Sequence, residues 1–106
     1  MVTNIAAYHF TPLEAPADVA ATLHARADVL ALRGSVLVAG EGLNLFLAGE
    51  ADAIESFLAP LRADPRFQGL RVKYSHSERV PFARLKIKVK PEIISFRRPG
   101  STPEDT

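Results

Sequence analysis

The spacing of apolar residues changes several times along the chain, and each spacing predicts one kind of secondary structure. Short runs of branched and aromatic residues bounded by Gly or Pro predict five strands, at 5–10, 35–39, 43–48, 70–75 and 83–90. Apolar residues three or four positions apart predict two helices, at 16–32 and 50–64. The chain is therefore expected to fold as a mixture of strands and helices.

Each predicted helix has an apolar stripe and a stop signal. Gly34 is the expected end of the first helix, because glycine readily adopts the left-handed conformation that closes a helix. The Asp64-Pro65 pair ends the second, since the residue before a proline avoids the helical conformation. The stripes consist of Val19, Leu23, Ala27 and Leu30 in the first helix and of Ile54, Phe57, Leu58 and Leu61 in the second.

The order of these elements predicts an α+β fold. Gly40-Glu41-Gly42 permits a tight reversal, so strands 35–39 and 43–48 form a hairpin. The order β-α-β-β-α-β with one further strand is the ferredoxin-like or acylphosphatase-like split βαβ sandwich, an antiparallel sheet with two helices on one face. We expect one domain over residues 1–97. Residues 98–106 contain two prolines, a glycine and no large apolar side chain, which is typical of a linker-like tail.

Charge is distributed unevenly along the chain. Residues 62–98 hold 11 of the 13 Lys and Arg against three acids, a local charge of +8. Residues 1–61 hold two Arg against seven acids, a local charge of −5, so the net charge of +1 conceals a dipole. A concentrated basic region is typical of proteins that bind phosphate-rich partners.

The last predicted strand has the most regular basic pattern. Arg84, Lys86, Lys88 and Lys90 alternate with branched apolar residues, which puts four cations on one face of a strand. With Lys73 on the preceding strand, these side chains are candidate contacts for RNA phosphates. Lysines also protect a sheet edge from pairing with other chains, and this alternative stays open.

Two other clusters are candidate nucleotide contacts. Glu41, Gly42 and Asn44 place a carboxylate, a flexible backbone and an amide at the hairpin turn, where they can bind a base edge or a ribose. In the competing interpretation, Gly42 only makes the turn and Asn44 hydrogen-bonds its backbone. Phe82 or Tyr74 can stack an unpaired base, unless the ring belongs to the core.

The composition argues against most catalytic chemistry. Without cysteine, the chain has no disulfide, thiolate metal ligand or cysteine nucleophile. His9, His24 and His76 are too scattered for a metal site, and His9 is expected to be a satisfied, half-buried side chain rather than a general base. Phosphate-binding glycine loops and the nucleophile elbow are missing from the sequence. We expect no catalytic residue, metal or cofactor here.

Acylphosphatase activity and a membrane location are not expected either. At the position of the Gly-rich, Arg-bearing anion loop of acylphosphatases, this chain has Thr11-Pro12-Leu13-Glu14, whose carboxylate repels phosphate. The N-terminus has no signal-peptide pattern, and no apolar run approaches the roughly 20 residues of a membrane span. The expected location is the cytoplasm.

Several segments, in their order and spacing, are similar to one known family. They are Tyr8 and Phe10, Arg33-Gly34, Glu41-Gly42-Leu43-Asn44, Ala48-Gly49, Ser75, Pro81-Phe82 and the basic run that closes on Lys90-Pro91-Glu92-Ile93-Ile94. Together they resemble the N-terminal acylphosphatase-like domain of the rhodanese-related tRNA uridine hydroxylase family (UPF0176), over almost the whole chain.

The resemblance implies an accessory role. In that family the domain precedes a rhodanese domain, whose active-site loop carries the cysteine, and the whole protein is implicated in oxygen-dependent hydroxylation of the wobble uridine of certain tRNAs. The implied partners are therefore tRNA and the rhodanese domain. Glu41, Gly42 and Asn44 match the family's turn motif, and Pro81, Phe82, Lys86, Lys88 and Glu92 match its second signature.

One position departs from the family pattern. After Asn44 the family usually has a small Gly-Thr pair, whereas this chain has Leu45-Phe46. If the small residues admit substrate in relatives, the Phe46 ring changes what this chain binds or how it binds.

Two functions from different classes stay open. In the first, the domain contacts tRNA, with the basic strand on phosphates and the 41–44 turn near an anticodon-loop nucleotide. In the second, it is a structural module that docks on the rhodanese domain or on a second copy of itself without touching RNA, an interpretation that the apolar Leu45 and Phe46 favour. An autonomous enzyme has little support, because no nucleophile with a base can be assembled from these residues.

Overall fold

The computed structural model describes residues 1–90 and shows a five-stranded sheet with two helices packed on one face. The elements are β1 (Val2–Phe10), α1 (Pro16–Val29), β2 (Arg33–Ala39), β3 (Gly42–Gly49), α2 (Ala51–Ala63), a 3-10 helix (Pro65–Phe67), β4 (Arg71–Ser77) and β5 (Leu85–Val89). The predicted ferredoxin-like α+β fold is confirmed. The expected domain end at residue 97 and the tail at 98–106 lie outside the described residues.

The sheet is mixed, so the prediction of an antiparallel sheet was wrong in one pair. The strand order is β4-β1-β3-β2-β5; β2 and β5 are parallel and the other pairs are antiparallel. Sequence alternation identifies β5 as a strand but not its neighbour, and β5 pairs with the outer edge of β2. Residues 78–84 therefore connect the two edges of the sheet, which lie about 19 Å apart.

The core lies between the sheet and the helices. Leu43, Leu45 and Leu47 of β3 have no exposed surface, and neither has Phe57 of α2. Because successive side chains of a strand point to opposite faces, the even-numbered residues of β3 lie on the face without helices. The packing of the core thus decides which residues of the central strand face outward.

The first helix ends at Val29, with Leu30 as its C-cap, which is earlier than predicted. Ala31 has a φ of 59°, and its N–H donates to Asp28 O at 3.0 Å, while Leu32 N–H donates to Ala27 O at 2.9 Å. These two hydrogen bonds form the Schellman motif that closes many helices, with alanine in the position usually taken by glycine. The expectation that Gly34 stops this helix was wrong.

Gly34 has a different role, inside β2. Its φ is 138°, and a Cβ atom built there would lie 1.9 Å from Phe46 O. Glycine is therefore required where β2 passes close to β3.

We expect Ala31→Gly to raise the free energy of unfolding by about 1 kcal/mol, because an L side chain in the left-handed conformation is strained. The matched control is Ala21→Gly at an exposed position inside α1, which should lower the free energy of unfolding by about the same amount. Urea denaturation measures both. A loss of stability in Ala31→Gly would contradict this helix end.

Candidate nucleic-acid interface

The face of the sheet without helices, called the open face below, contains most of the candidate residues. One row across it, from β4 to β5, consists of Lys73, Ala6, Phe46, Ser35 and Lys86. The next row consists of Arg71, Tyr8, Asn44, Leu37 and Lys88. Each row begins and ends with a cation, and aromatic or amide groups lie between the two.

The two edge strands supply these cations. Lys86 and Lys88 of β5 lie at one edge, and Arg71 and Lys73 of β4 lie at the other. All four side chains are exposed, and within residues 1–90 none of them forms an ion pair. The strand spacing puts the two edges about 19 Å apart. The open face therefore has two separate lines of uncompensated positive charge.

Two cations on the helix side of the sheet have acidic partners. Arg62 lies 3.6 Å from Glu55, and Arg66 lies 2.7 Å from Asp64. Hydrogen bonds from the side chain and backbone of Arg66 hold the pKa of Asp64 below its usual value. Within residues 1–90, the four cations of β4 and β5 on the open face thus lack the compensation that Arg62 and Arg66 have.

The two remaining predicted cations flank β5. Arg84 O accepts a hydrogen bond from Gly34 N–H at 3.0 Å, and Lys90 N–H donates to Val38 O at 2.8 Å. Both side chains are exposed. Backbone hydrogen bonds to β2 thus fix both residues at the ends of the basic strand.

Phe46 occupies the centre of the open face. Its ring is 42% exposed, and its neighbours across the sheet are the small residues Ala6 and Ser35. Three depressions border the ring, of about 550, 620 and 360 Å³. The first extends to Arg71 and Lys73, and the third extends to Lys86 and Lys88. The sequence marked Phe46 as unusual, but only the strand pairing shows its central place.

Further aromatic groups lie beside Phe46. Tyr8 and Phe10 of β1 are 55% and 48% exposed, with their rings edge to face at a centroid distance of 6.2 Å. Phe82, on the segment that crosses between β4 and β5, borders the 620 Å³ depression together with Phe46 and Lys73. The sequence did not indicate an RNA contact for Tyr8 and Phe10, because the direction of their side chains depends on which face of the sheet the helices cover.

Tyr74 is not part of this surface. Its hydroxyl donates to a Glu55 carboxylate oxygen at 2.9 Å and accepts from Arg62 Nη2 at 3.1 Å. Those partners lie on α2, so the ring faces the helix side of the sheet. Of the two rings considered for base stacking, the structure leaves only Phe82 near the candidate cations.

The glycine at the end of the hairpin turn, Gly42, is required by strand packing. Residues 40–41 connect β2 to β3, and Glu41 O accepts a hydrogen bond from Thr11 N–H at 3.0 Å. Gly42 has a φ of 146°, and a Cβ atom there would lie 2.0 Å from His9 O. Gly42 is therefore needed for the close approach of β3 to β1, and the turn lies at the end of the open face, in the row of Phe10.

Asn44 lies inside β3 rather than in the turn. It is 4% exposed, and its Oδ1 atom has no hydrogen-bond partner among the described residues. The interpretation that Asn44 only satisfies the turn backbone is therefore not supported for this oxygen. A buried acceptor without a partner costs about 1–3 kcal/mol of stability, so the fold alone gives no reason for an amide here.

The loop after β1 does not form an anion site of the acylphosphatase kind. Thr11 N–H and Leu13 N–H donate to Glu41 O and Gly40 O, at 3.0 and 2.8 Å, so neither amide is available to a phosphate. Nearby, His9 Nε2 lies 3.0 Å from Arg66 O, a geometry in which the ring donates a hydrogen bond to the carbonyl. The expectation of a satisfied, half-buried histidine is confirmed.

Residues 1–90 contain no cluster of three or more metal-ligating side chains. None of their helices has the length and apolar character needed to cross a bilayer.

We expect Asn44→Leu to raise the free energy of unfolding by about 1 kcal/mol, because it removes the unsatisfied acceptor and keeps a side chain branched at Cγ. Asn44→Asp is the control and should lower stability, since it buries a carboxylate. Chemical denaturation measures both variants. If Asn44→Leu lost more than about 1 kcal/mol, the amide would have to make stabilising hydrogen bonds in the folded protein.

Comparison with known proteins identifies relatives along most of the chain. The family model for the UPF0176 acylphosphatase-like domain matches residues 2–93. A tRNA uridine(34) hydroxylase of Xanthomonas campestris pv. campestris (strain 8004) is 61% identical over 103 residues, 97% of this chain and 41% of that protein. That of Xylella fastidiosa (strain M23) is 52% identical over 103 residues, 97% of this chain and 40% of that protein. The chain thus spans about two fifths of the length of the curated relatives it matches.

Solved structures of more distant proteins share the fold. The dark-state structure of the BLUF protein BlrB has a TM-score of 0.70 and 19% identity, covering 91% of this chain and 78% of that one. Full-length HypF, in a phosphate- and nucleotide-bound form, has a TM-score of 0.64 and 18% identity, covering 84% of this chain and 12% of that one. At this level of identity the similarity concerns the fold alone.

Proposed function

This chain belongs to the UPF0176 acylphosphatase-like domain family, and from that premise we propose that it is the tRNA-contacting accessory domain of a tRNA uridine(34) hydroxylase. The family predicted from the sequence is confirmed. In the proposal, residues 1–97 form the domain, and residues 98–106 lead to a rhodanese domain that performs the chemistry. The site of action is the cytoplasm, where tRNA is modified.

The placement of the cations is the observation on which the proposal rests. Lys86 and Lys88 at one edge of the open face, and Arg71 and Lys73 at the other, lack acidic partners within residues 1–90, whereas Arg62 and Arg66 on the helix side have them. Uncompensated like charges repel each other, and a polyanion relieves that repulsion. Edge protection alone would not require the charge to lie on a single face.

Each candidate residue has a place in the proposed interface. Arg84, Lys86, Lys88 and Lys90 contact phosphates along the β5 edge, and Lys73 does so at the β4 edge. Asn44 borders the depression that leads to Lys86 and Lys88, and Phe82 offers a ring beside Lys73. Glu41 and Gly42 are at the end of the open face, where Gly42 keeps the backbone close to β1.

Of the two apolar residues that favoured the structural-module alternative, the structure leaves only Phe46 exposed. Leu45 is completely buried in the core, so it is not available to a docking partner. Phe46 is exposed, but its row ends in a cation on each side, Lys73 and Lys86. This charge favours a polyanion over an apolar protein surface as the partner. RNA binding therefore explains more of the open face than protein docking does.

We expect the double variant Lys86→Gln, Lys88→Gln to bind tRNA about tenfold more weakly at low salt. Each lysine removed from a phosphate contact should also lower the slope of log Kd against log salt by about 1, because fewer counterions are released. Fluorescence anisotropy of labelled tRNA at several salt concentrations measures both quantities.

The matched control is Arg62→Gln, Arg66→Gln, which removes the same net charge from the helix side. It should leave affinity within about twofold and the salt slope nearly unchanged. Equal losses in the two double variants would mean that net charge, rather than the open face, controls binding. No binding of the unaltered chain at low salt would contradict the proposed function.

A further inference from the structure

We infer that Phe46 is a base-stacking platform, and that the open face therefore binds an unpaired stretch of RNA in preference to a duplex. The inference rests on the proposed tRNA contact and specifies it further, by naming the class of RNA structure bound and the ring that reads it.

The ring is positioned for contact with a flat partner. Phe46 is on β3, the central strand of the sheet, and 42% of the residue is exposed. The side chains beside it in the same row are Ala6 and Ser35, which are too small to cover the ring. Neither of these two neighbours therefore blocks the approach of a base to Phe46. Base stacking on an aromatic ring tolerates all four bases, since each has a π face.

The charges lie where a bound strand would need them. Lys73 and Lys86 end the row of Phe46, each two strand spacings from it, or about 10 Å. A single strand that crosses the sheet with one base on Phe46 brings its flanking phosphates toward these two edges. The two depressions beside the ring lead to the same cations. Aromatic contact and phosphate contact are thus compatible with one path.

Duplex RNA cannot use this arrangement. Its bases are already paired and stacked on each other, and proteins recognise it mainly through backbone shape. An unpaired loop can turn a base out onto a protein ring. RNA-recognition-motif domains stack bases in this manner on aromatic residues of a four-stranded sheet.

The test uses the intact 106-residue chain and two probes, a labelled single-stranded RNA of about ten nucleotides and the same strand annealed to its complement. Phe46→Leu removes the π face but keeps an apolar side chain, and Phe46→Trp keeps an aromatic surface. Tyr74→Leu is the control, because that ring is similarly exposed, at 44%, but faces the helix side. Lys86→Gln, Lys88→Gln reports on the phosphate contacts separately.

We expect Phe46→Leu to weaken single-strand binding about tenfold and to leave duplex binding unchanged, because stacking is worth that much per base. Phe46→Trp should bind at least as well as the unaltered chain, and Tyr74→Leu should have no effect. The chain contains no other tryptophan, so a stacked base should also quench the fluorescence of Trp at position 46 in the Phe46→Trp variant.

Each remaining outcome separates the two proposals. If the lysine variant loses affinity while Phe46→Leu does not, stacking is wrong and the proposed tRNA contact stands. If Phe46→Leu weakens single strand and duplex equally, Phe46 supports the surface but does not select unpaired RNA, and the inference fails. If the unaltered chain binds neither probe at low salt, both proposals fail and the open face is better explained as a protein-docking surface.

Discussion

The burial of three alternating leucines of β3 against the helices determines which residues lie on each face of the sheet. They are Leu43, Leu45 and Leu47, and none has exposed surface. Because side chains alternate along a strand, burying these three leucines turns Asn44 and Phe46 to the open face. A shift of one residue in the register of β3 would move Asn44 and Phe46 to the helix side and the three leucines to the open face, so that their burial in the core would be lost. The position of the candidate site therefore follows from core packing.

Strands β1 and β2 pass very close to the central strand β3, and glycines at two positions make this close approach possible. Gly34 and Gly42 have positive φ angles, and any side chain there would overlap the backbone of an adjacent strand. With β1 and β2 held close on either side of β3, Phe46 has fixed cross-strand neighbours and a fixed distance to both sheet edges. Residues that contact no ligand thus determine the geometry of the open face.

The location of the charge results from how β5 joins the sheet. The segment 78–84 carries the chain across to the far edge, where β5 pairs with β2 in parallel. This places Lys86 and Lys88 opposite Arg71 and Lys73 rather than next to them. The two groups are neighbours in sequence, but the fold separates them by the width of the sheet and puts Phe46 midway between them.

The elements, the helix stripes, the hairpin, the basic strand and the family were all accessible from the sequence, because each depends on local periodicity, turn chemistry or a linear motif. The end of α1, the parallel partner of β5 and the role of Gly34 were not, since a Schellman closure on alanine leaves no glycine signal and strand pairing is a contact between distant residues. Likewise, the sequence showed that Phe46 was unusual and that the lysines alternated. Only the tertiary structure decided that they form one aromatic ring between two basic edges. The reason is that the order of strands in a sheet depends on how their apolar faces pack together, and not on the order of residues in the chain.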